Sequence, residues 1–407
     1  MKKIRVGIIG TGAISHRHMS VYRHIPGMEV VAAAEIDERK LTDWGAKYGI
    51  QDTYTDFREM LKRDDIDSVD VCVHNNLHAP IAIAVMKAGK ACYSEKPMSA
   101  TYADSKLMYD CAKATGVKFA IQISSLFSAQ TRIGKKVVDS GALGDIYHAK
   151  SFASSYRRRP SVDTMGTPDF MSKYMAGHGQ AIDLGSYYLG QMLYLLGLPG
   201  LKTVFGKAYY KMPNPVAGRK IEVEDMGIAL AEFTSGVTLD ILQANATNAE
   251  DNGGYITGNA GALKLQMIDA FGGEWAMQGF GGGMPGMMPE AMQPKLSFVG
   301  EYKGIHVDCD LKAYYNQMLD KTYDPGQMMW YDNQMHWYSY LSGILNDETR
   351  YNTPLIGLQT SLLCDGLFLS GEQGRALTAD EIKTLSKSTA IWKQETPWGV
   401  FDYDSTL

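Results

Sequence analysis

The run Ile4-Arg5-Val6-Gly7-Ile8-Ile9 passes without a spacer into Gly10-Thr11-Gly12 and then into a helical stretch from Ala13 to about His24. That order, strand, tight turn, helix, commits the start of the chain to a βα unit. In such a unit Gly10 allows the turn and Gly12 lets a pyrophosphate approach the backbone. Ala13 and Ile14 then open a helix whose first N–H groups and partial positive charge suit an anion. Ser15 stands where a third glycine would complete the pattern. The second strand, Glu29 to Ala34, ends at Glu35, about 20 to 25 residues after the glycines, where a carboxylate holds the adenosine ribose hydroxyls. A carboxylate there repels a 2′-phosphate, so NAD is favoured over NADP, although Arg39 keeps NADP open. Asp37 either shares the ribose or caps the next helix.

Short strand patterns alternate with helical ones to about residue 125, the rhythm of a parallel, helix-covered sheet. Its later units are Val69 to Val73, a helix over Ala79 to Ala88, Ala91 to Ser94, a helix over Tyr102 to Thr115, and Val117 to Ile123. The run Ser94-Glu95-Lys96-Pro97 comes directly after the strand at Ala91-Cys92-Tyr93, so it puts a lysine where a dinucleotide fold presents its chemistry. Beyond a helix near Thr131 to Ser140, alternating segments at Ile146 to Ala153, Lys202 to Tyr210, Met226 to Phe233, Val237 to Ala244 and Ala262 to Met267 predict a mainly antiparallel second sheet. The expected fold is therefore α/β. A Rossmann dinucleotide-binding domain over 1–125 precedes an α+β domain over 126–407 with a large, open, mainly antiparallel sheet, built to cover the cofactor's open edge and to bind substrate.

A chain of 407 residues is long enough for two cores. The net charge of −5 and pI near 6.0 carry no footprint for nucleic acid. Five scattered cysteines without a C-x-x-C predict reduced thiols and a cytoplasmic protein. Met1-Lys2-Lys3 resembles the start of a leader, but glycines interrupt the apolar segment after it, and no stretch is long enough to span a membrane.

The chain resembles the Gfo/Idh/MocA oxidoreductases, NAD(P)-dependent enzymes acting on sugars, cyclitols and their derivatives. The resemblance rests on Gly10-Thr11-Gly12, Asn75 with His78, Ala88-Gly89-Lys90 leading into Glu95-Lys96-Pro97, Gly141-x-x-Gly144, Ala181-Ile182-Asp183-Leu184-Gly185, Glu224-Asp225 and Leu369-Ser370-Gly371-Glu372. It implies a site in which Lys96 orients a substrate hydroxyl and joins the proton relay. Desolvation and a neighbouring positive nicotinamide would move such a lysine down from its usual ~10.4. It places Asp183 where it binds substrate hydroxyls or orients the proton-transfer group, and implies D-x-G-x-H, whose histidine position is here Tyr187. The phenol, lowered by Lys96, then becomes the proton shuttle, the alternative being that Tyr187 packs while His178 or a water chain moves the proton. Asn75 reaches the nicotinamide ribose, and His78 either joins it at the cofactor or supports the loop. Glu95 positions neighbouring groups rather than acting as a base. The resemblance also implies that the exposed face of the second sheet makes a homodimer or homotetramer.

These readings lead to NAD-dependent oxidation of a secondary hydroxyl of a sugar, glycoside or cyclitol, or reduction of the matching ketone. The alternative is a glycosidase whose tightly bound NAD oxidises transiently and lets the glycosidic bond leave by elimination. Arg158, within Arg157-Arg158-Arg159, and His178, within Gly177-His178-Gly179, are the further substrate-binding candidates, each either in the pocket or in solvent. His74 and His78 lie four apart without a third ligand, so no metal is expected. The Gly- and Met-rich segment 271–294 reads as a lid or as a subunit contact. Trp330 to Tyr338 reads as a core helix.

Overall fold

The computed structural model describes residues 2–403 apart from 165, 180, 250, 267–294, 303, 312–324, 346–350 and 397–398; the Gly- and Met-rich segment lies outside the described residues. The chain opens with β1 (Ile4–Ile9), α1 (Ala13–Tyr22), β2 (Met28–Ala34), α2 (Glu38–Tyr48), β3 (Thr53–Tyr54) and α3 (Phe57–Leu61). It continues with β4 (Ser68–Val71), α4 (Asn75–Lys87), β5 (Ala91–Ser94), α5 (Tyr102–Thr115) and β6 (Phe119–Ile121). These six strands are all parallel, in the order β3-β2-β1-β4-β5-β6. The order reverses direction at β1, and the crevice outside the carboxyl ends of β1 and β4 is where such sheets take ligands. Asp37 settles as a cap: its carboxylate accepts from the Arg39 and Lys40 amides at the start of α2.

After α6 (Ala129–Asp139) the long strand β7 (Ile146–Tyr156) enters the second sheet. Short α7 (Lys173–Ala176) and the nearly all-buried α8 (Gly185–Leu195) come next, succeeded by β8 (Leu201–Tyr209), β9 (Met226–Phe233), β10 (Thr238–Thr247), β11 (Asp251–Gly258) and β12 (Gly261–Gln266). Strands β13 (Lys295–Tyr302) and β14 (Ile305–Asp310) extend one edge, while β15 (Leu377–Thr378) closes the other. Its order is β14-β13-β12-β11-β7-β10-β9-β8-β15, antiparallel throughout except for the parallel pair β7 and β10. The sequence pattern did not reveal β11, β13 and β14. In β11 the run Asn252-Gly253-Gly254 reads locally as a turn, and only pairing with β7 makes it a strand.

Two helices near the end tie the sheets together. Helix α9 (Pro325–Ser342) returns to the first sheet, where Trp337 stacks on Tyr93 at 5.5 Å and Trp330 meets His18 edge-on at 5.8 Å. Helix α10 (Thr353–Gln373) lies between the sheets, with Thr353 Oγ1 accepting from the Ile121 amide and Ser370 Oγ from Gly206. A short α11 (Ala379–Leu385), opened by a capping box from Thr378 and Glu381, and the hairpin β16 (Lys393–Thr396) with β17 (Gly399–Asp402) complete the described chain. No helix among the described residues is long and apolar enough to cross a membrane.

Candidate active site at the lysine–aspartate pair

The glycine turn presents the expected open edge. Gly10 has φ +91°, and a Cβ there would sit 2.4 Å from the Cys72 carbonyl oxygen, so only glycine fits without moving backbone. Gly12 is different: it is exposed, it caps α1 without any side-chain hydrogen bond, and a Cβ would meet nothing within 4 Å. The protein leaves space in front of Gly12, Ala13 and Ile14, which fits a pyrophosphate. Ser15 is buried instead of open. Its hydroxyl donates to the Gly12 carbonyl and accepts from Trp44 Nε1 at 2.9 Å, so it locks α1 to α2. Glu35 reaches back over the turn and accepts from the Thr11 amide at 2.9 Å and the Asp37 amide at 3.2 Å. These residues fit the diphosphate and ribose of NAD. Gly10→Ala is expected to cost stability, visible as a lower Tm, whereas Gly12→Val is expected to keep Tm and weaken NAD binding more than tenfold in a fluorescence titration.

Lys96 lies at the end of β5, and its ammonium donates to Asp183 Oδ1 at 2.7 Å and to the Asp183 carbonyl at 3.2 Å. The two side chains are 12% and 21% exposed, so the pair is dry on one side and reachable on the other. Beneath it, the Lys96 amide donates to Glu95 Oε2 at 3.0 Å, and Glu95 Oε1 meets His18 Nε2 at 3.0 Å. His18 Nδ1 in turn lies 2.8 Å from Asp70 Oδ2, which also accepts from the Tyr22 hydroxyl at 2.6 Å. Burial alone would pull the His18 imidazole down. Cys72, Asp70 and Glu95 outweigh it and hold the group well above its ordinary value, as imidazolium between two carboxylates. This triad is wholly buried.

Tyr187 is placed beside the lysine, but by its ring. The Lys96 ammonium stands 4.9 Å over the ring centroid, while the phenol donates to Gln122 Oε1 at 3.2 Å in the interior. The expectation that Lys96 lowers the phenol is reversed: burial, then the charges of Glu95 and Asp183, push it well above its ordinary value. The ammonium therefore faces the ring of Tyr187 and not its hydroxyl.

His78 also departs from a cofactor role. Its buried ring lies between the carbonyls of Pro97 (2.7 Å) and Val73 (3.0 Å), bracing the Lys96-Pro97 turn on α4, with no nitrogen left for a ligand. Asn75 begins α4, and its amide donates to the Ala176 carbonyl at 3.1 Å, which docks α7 next to the site. His178, half-buried, lies flat on Phe368 with ring centroids 3.7 Å apart, and burial holds its pKa down to about 3. Arg158 is half-buried and gives its backbone amide to the Asn245 carbonyl, while Arg159 beside it takes the buried ion pairs, to Asp163 at 2.7 Å and Asp225 at 3.4 Å. The structure thus brings Lys96, Asp183, Glu95 and Tyr187 together, stacks His178 on Phe368 and ties the Arg158 backbone to Asn245.

Comparison with known proteins agrees with this architecture over residues 4–264. A family model described as "Oxidoreductase family, NAD-binding Rossmann fold" matches residues 4–123, and the "GFO/IDH/MocA C-terminal domain" matches residues 132–264. The chain belongs to the Gfo/Idh/MocA oxidoreductase family. Among relatives, D-glucoside 3-dehydrogenase of Escherichia coli is 30% identical over 257 residues, 61% of this chain and 72% of that protein. Levoglucosan dehydrogenase of Pseudarthrobacter phenanthrenivorans is 29% identical over 206 residues, 48% of this chain; the match spans only 52% of that relative's length. The solved structure of levoglucosan dehydrogenase with NADH and levoglucosan superimposes with a TM-score of 0.75 at 18% identity, covering 93% of this chain and 100% of that one.

Within this Gfo/Idh/MocA frame, two groups escaped the sequence reading. His18 is a single histidine on the buried face of a helix, and nothing local announces that Asp70 and Glu95, 52 and 77 residues away, converge on it. Glu224 carried only a motif match, yet its carboxylate grips the turn ahead of Asp183.

Proposed function

We propose that this chain is an NAD-dependent oxidoreductase that moves hydride between NAD and a secondary hydroxyl of a sugar, glycoside or cyclitol. The observation that carries the proposal is the Lys96–Asp183 pair, partly exposed at the end of β5 in the same parallel sheet whose glycine turn is open for NAD. NAD bound at that turn supplies the hydride acceptor. Lys96 gives two of its three N–H bonds to Asp183, and the third is directed to a substrate oxygen, which it stabilises as the proton leaves. Asp183 Oδ2, which Lys96 does not use, takes that proton, and the carbinol becomes a ketone. The ring of Tyr187 keeps the ammonium from sinking into the core.

Glu35, turned over the glycine turn, supports NAD over NADP. The test is absorbance at 340 nm with each cofactor and a panel of sugars, inositols and aryl glycosides, with products tracked by mass. We expect stoichiometric NADH and a product two mass units lighter; glycoside cleavage without NADH would overturn the reading in favour of elimination.

We further assign residues 1–125 to cofactor binding and 126–407 to substrate binding and assembly as a homodimer or homotetramer in the cytoplasm. Phe205 and Leu230, cross-strand neighbours 48% and 55% exposed on the outer face of the second sheet, support the assembly. Sedimentation at the 44.9 kDa monomer mass would contradict it.

A further inference from the structure

Asp183 does not hold its own position. It comes after a tight turn in which Gly177 has φ +75° and a Cβ would strike Ala100, and in which a Cβ on Gly179 would lie 2.6 Å from the Glu224 carbonyl oxygen. The turn is pressed onto the residues leading into β9. There the Glu224 side chain, 1% exposed, accepts from the Gly179 amide through Oε2 at 2.8 Å and from the Ala181 amide through Oε1 at 3.1 Å. The same two residues are tied on their other side. The Gly179 carbonyl accepts from the Asp183 amide at 3.0 Å, and the Ala181 carbonyl accepts from Cys364 Sγ at 3.2 Å. A series therefore runs from Glu224 through the N–H and C=O of Gly179, on either side of its Cα, to Asp183 and from there to the Lys96 ammonium.

We propose that Glu224 is the positioning residue of the Lys96–Asp183 pair, and that its ionised carboxylate is the form that sets Asp183 for reaction. The inference rests on the dehydrogenase reading for its kinetic consequence, though not for its structural one. A carboxylate can accept from both amides at once. Protonation turns one oxygen into a hydroxyl, a weaker acceptor whose proton must turn away from the facing N–H, and one of the two tethers is weakened. Removing one acceptor from a buried amide also leaves that amide unsatisfied.

The surroundings place this change in the working range. Burial raises the Glu224 pKa to about 7, against the three amide bonds, from Gly179, Ala181 and Glu224 itself, that lower it, and the neighbouring Asp225 charge adds to the rise. The groups whose charge bears on it are Tyr210 and Asp225 on the sheet side and Cys364 on α10, while His178 and Asp183 lie on the turn it holds. Burial holds His178 neutral down to about 3 and keeps the Cys364 thiol and the Tyr210 phenol above their ordinary values, so these three do not titrate near neutrality. Asp225 is paired with Arg159.

The test uses the whole protein and two readouts. In the first, amide hydrogen exchange of the 177–183 segment is measured between pH 8 and pH 6 and corrected for intrinsic rates. Protection of Gly179 and Ala181 is expected to fall about tenfold on acidification in the wild type, and to be low and flat in Glu224→Gln, whose amide group can accept from only one of the two donors. Constant protection in the wild type would overturn the proposal even if no substrate had been found. In the second, kcat/KM is measured over the same range. The wild type should show an acid limb near pH 7 that is absent from E224Q. The variant should also be about 10- to 100-fold slower at pH 8, with NAD affinity within threefold of wild type, the scale of a displaced catalytic group. An unchanged limb in E224Q, or a loss of activity matched by a loss of NAD binding, would refute it. If E224Q does not fold, the wild-type exchange experiment alone decides.

Discussion

Lys96→Ala is expected to lower kcat about a thousandfold, the scale of a positioned acid–base group, while leaving NAD affinity within a few-fold. The substitution removes the ammonium that donates twice to Asp183 and stands over Tyr187, and with it the donor placed to meet an oxyanion. The glycine turn, α1 and Glu35 belong to other elements and keep their hydrogen bonds. Single-turnover kinetics with NADH fluorescence separates the two effects. Turnover within tenfold of wild type would remove Lys96 from the chemistry. Lys96→Arg is not expected to restore activity, because a planar fork cannot reproduce a compact ammonium seated on a ring.

The second large effect lies one layer down. His18→Ala leaves Asp70 and Glu95 buried without the cation between them, and breaking such a group by removing one partner costs about 3–5 kcal/mol. Urea denaturation should show this as a lower midpoint at an unchanged slope. The pH dependence has a definite sign. His18 has a folded pKa well above its unfolded value of about 6.5, so its contribution is complete below that value, persists through neutrality and fades as pH climbs through the raised folded value. The wild type and His18→Ala should therefore converge in stability on the alkaline side. A gap under about 1 kcal/mol at pH 7 would mean that water, not the imidazolium, compensates the two carboxylates.

Five strands of the first sheet were legible because each is a short, largely apolar run and all-parallel sheets bury both faces; the two-residue β3, Thr53–Tyr54, has no such run and was not. Lys96 and Glu35 were legible for the same reason, since a strand's carboxyl end is fixed once the strand is placed. The side-chain direction of Tyr187 was not. Helix α8 is buried on every side, so its sequence has no polar face to say which way residue 187 turns, and Gln122 from another segment decides it. Glu224 and His18 were hidden for a related reason. Each is a polar residue whose partners are backbone amides or carboxylates brought from far along the chain, and no local spacing encodes that meeting.

Helix α9 has a temporal consequence. Trp330 and Trp337 lie in the same apolar cluster as Ile4, Val6 and Ile8, and the Tyr338 hydroxyl donates to the Lys2 carbonyl across 336 positions of chain, so the nucleotide half takes part of its interior from residues made much later. A nascent chain emerging from the ribosome with β1 to β6 complete still has one flank of that sheet bare. It must wait for most of its synthesis to finish before closing it. Capture of the dinucleotide on a fully closed sheet is therefore a late event in the life of each molecule, and most of the second sheet is made before the first is covered.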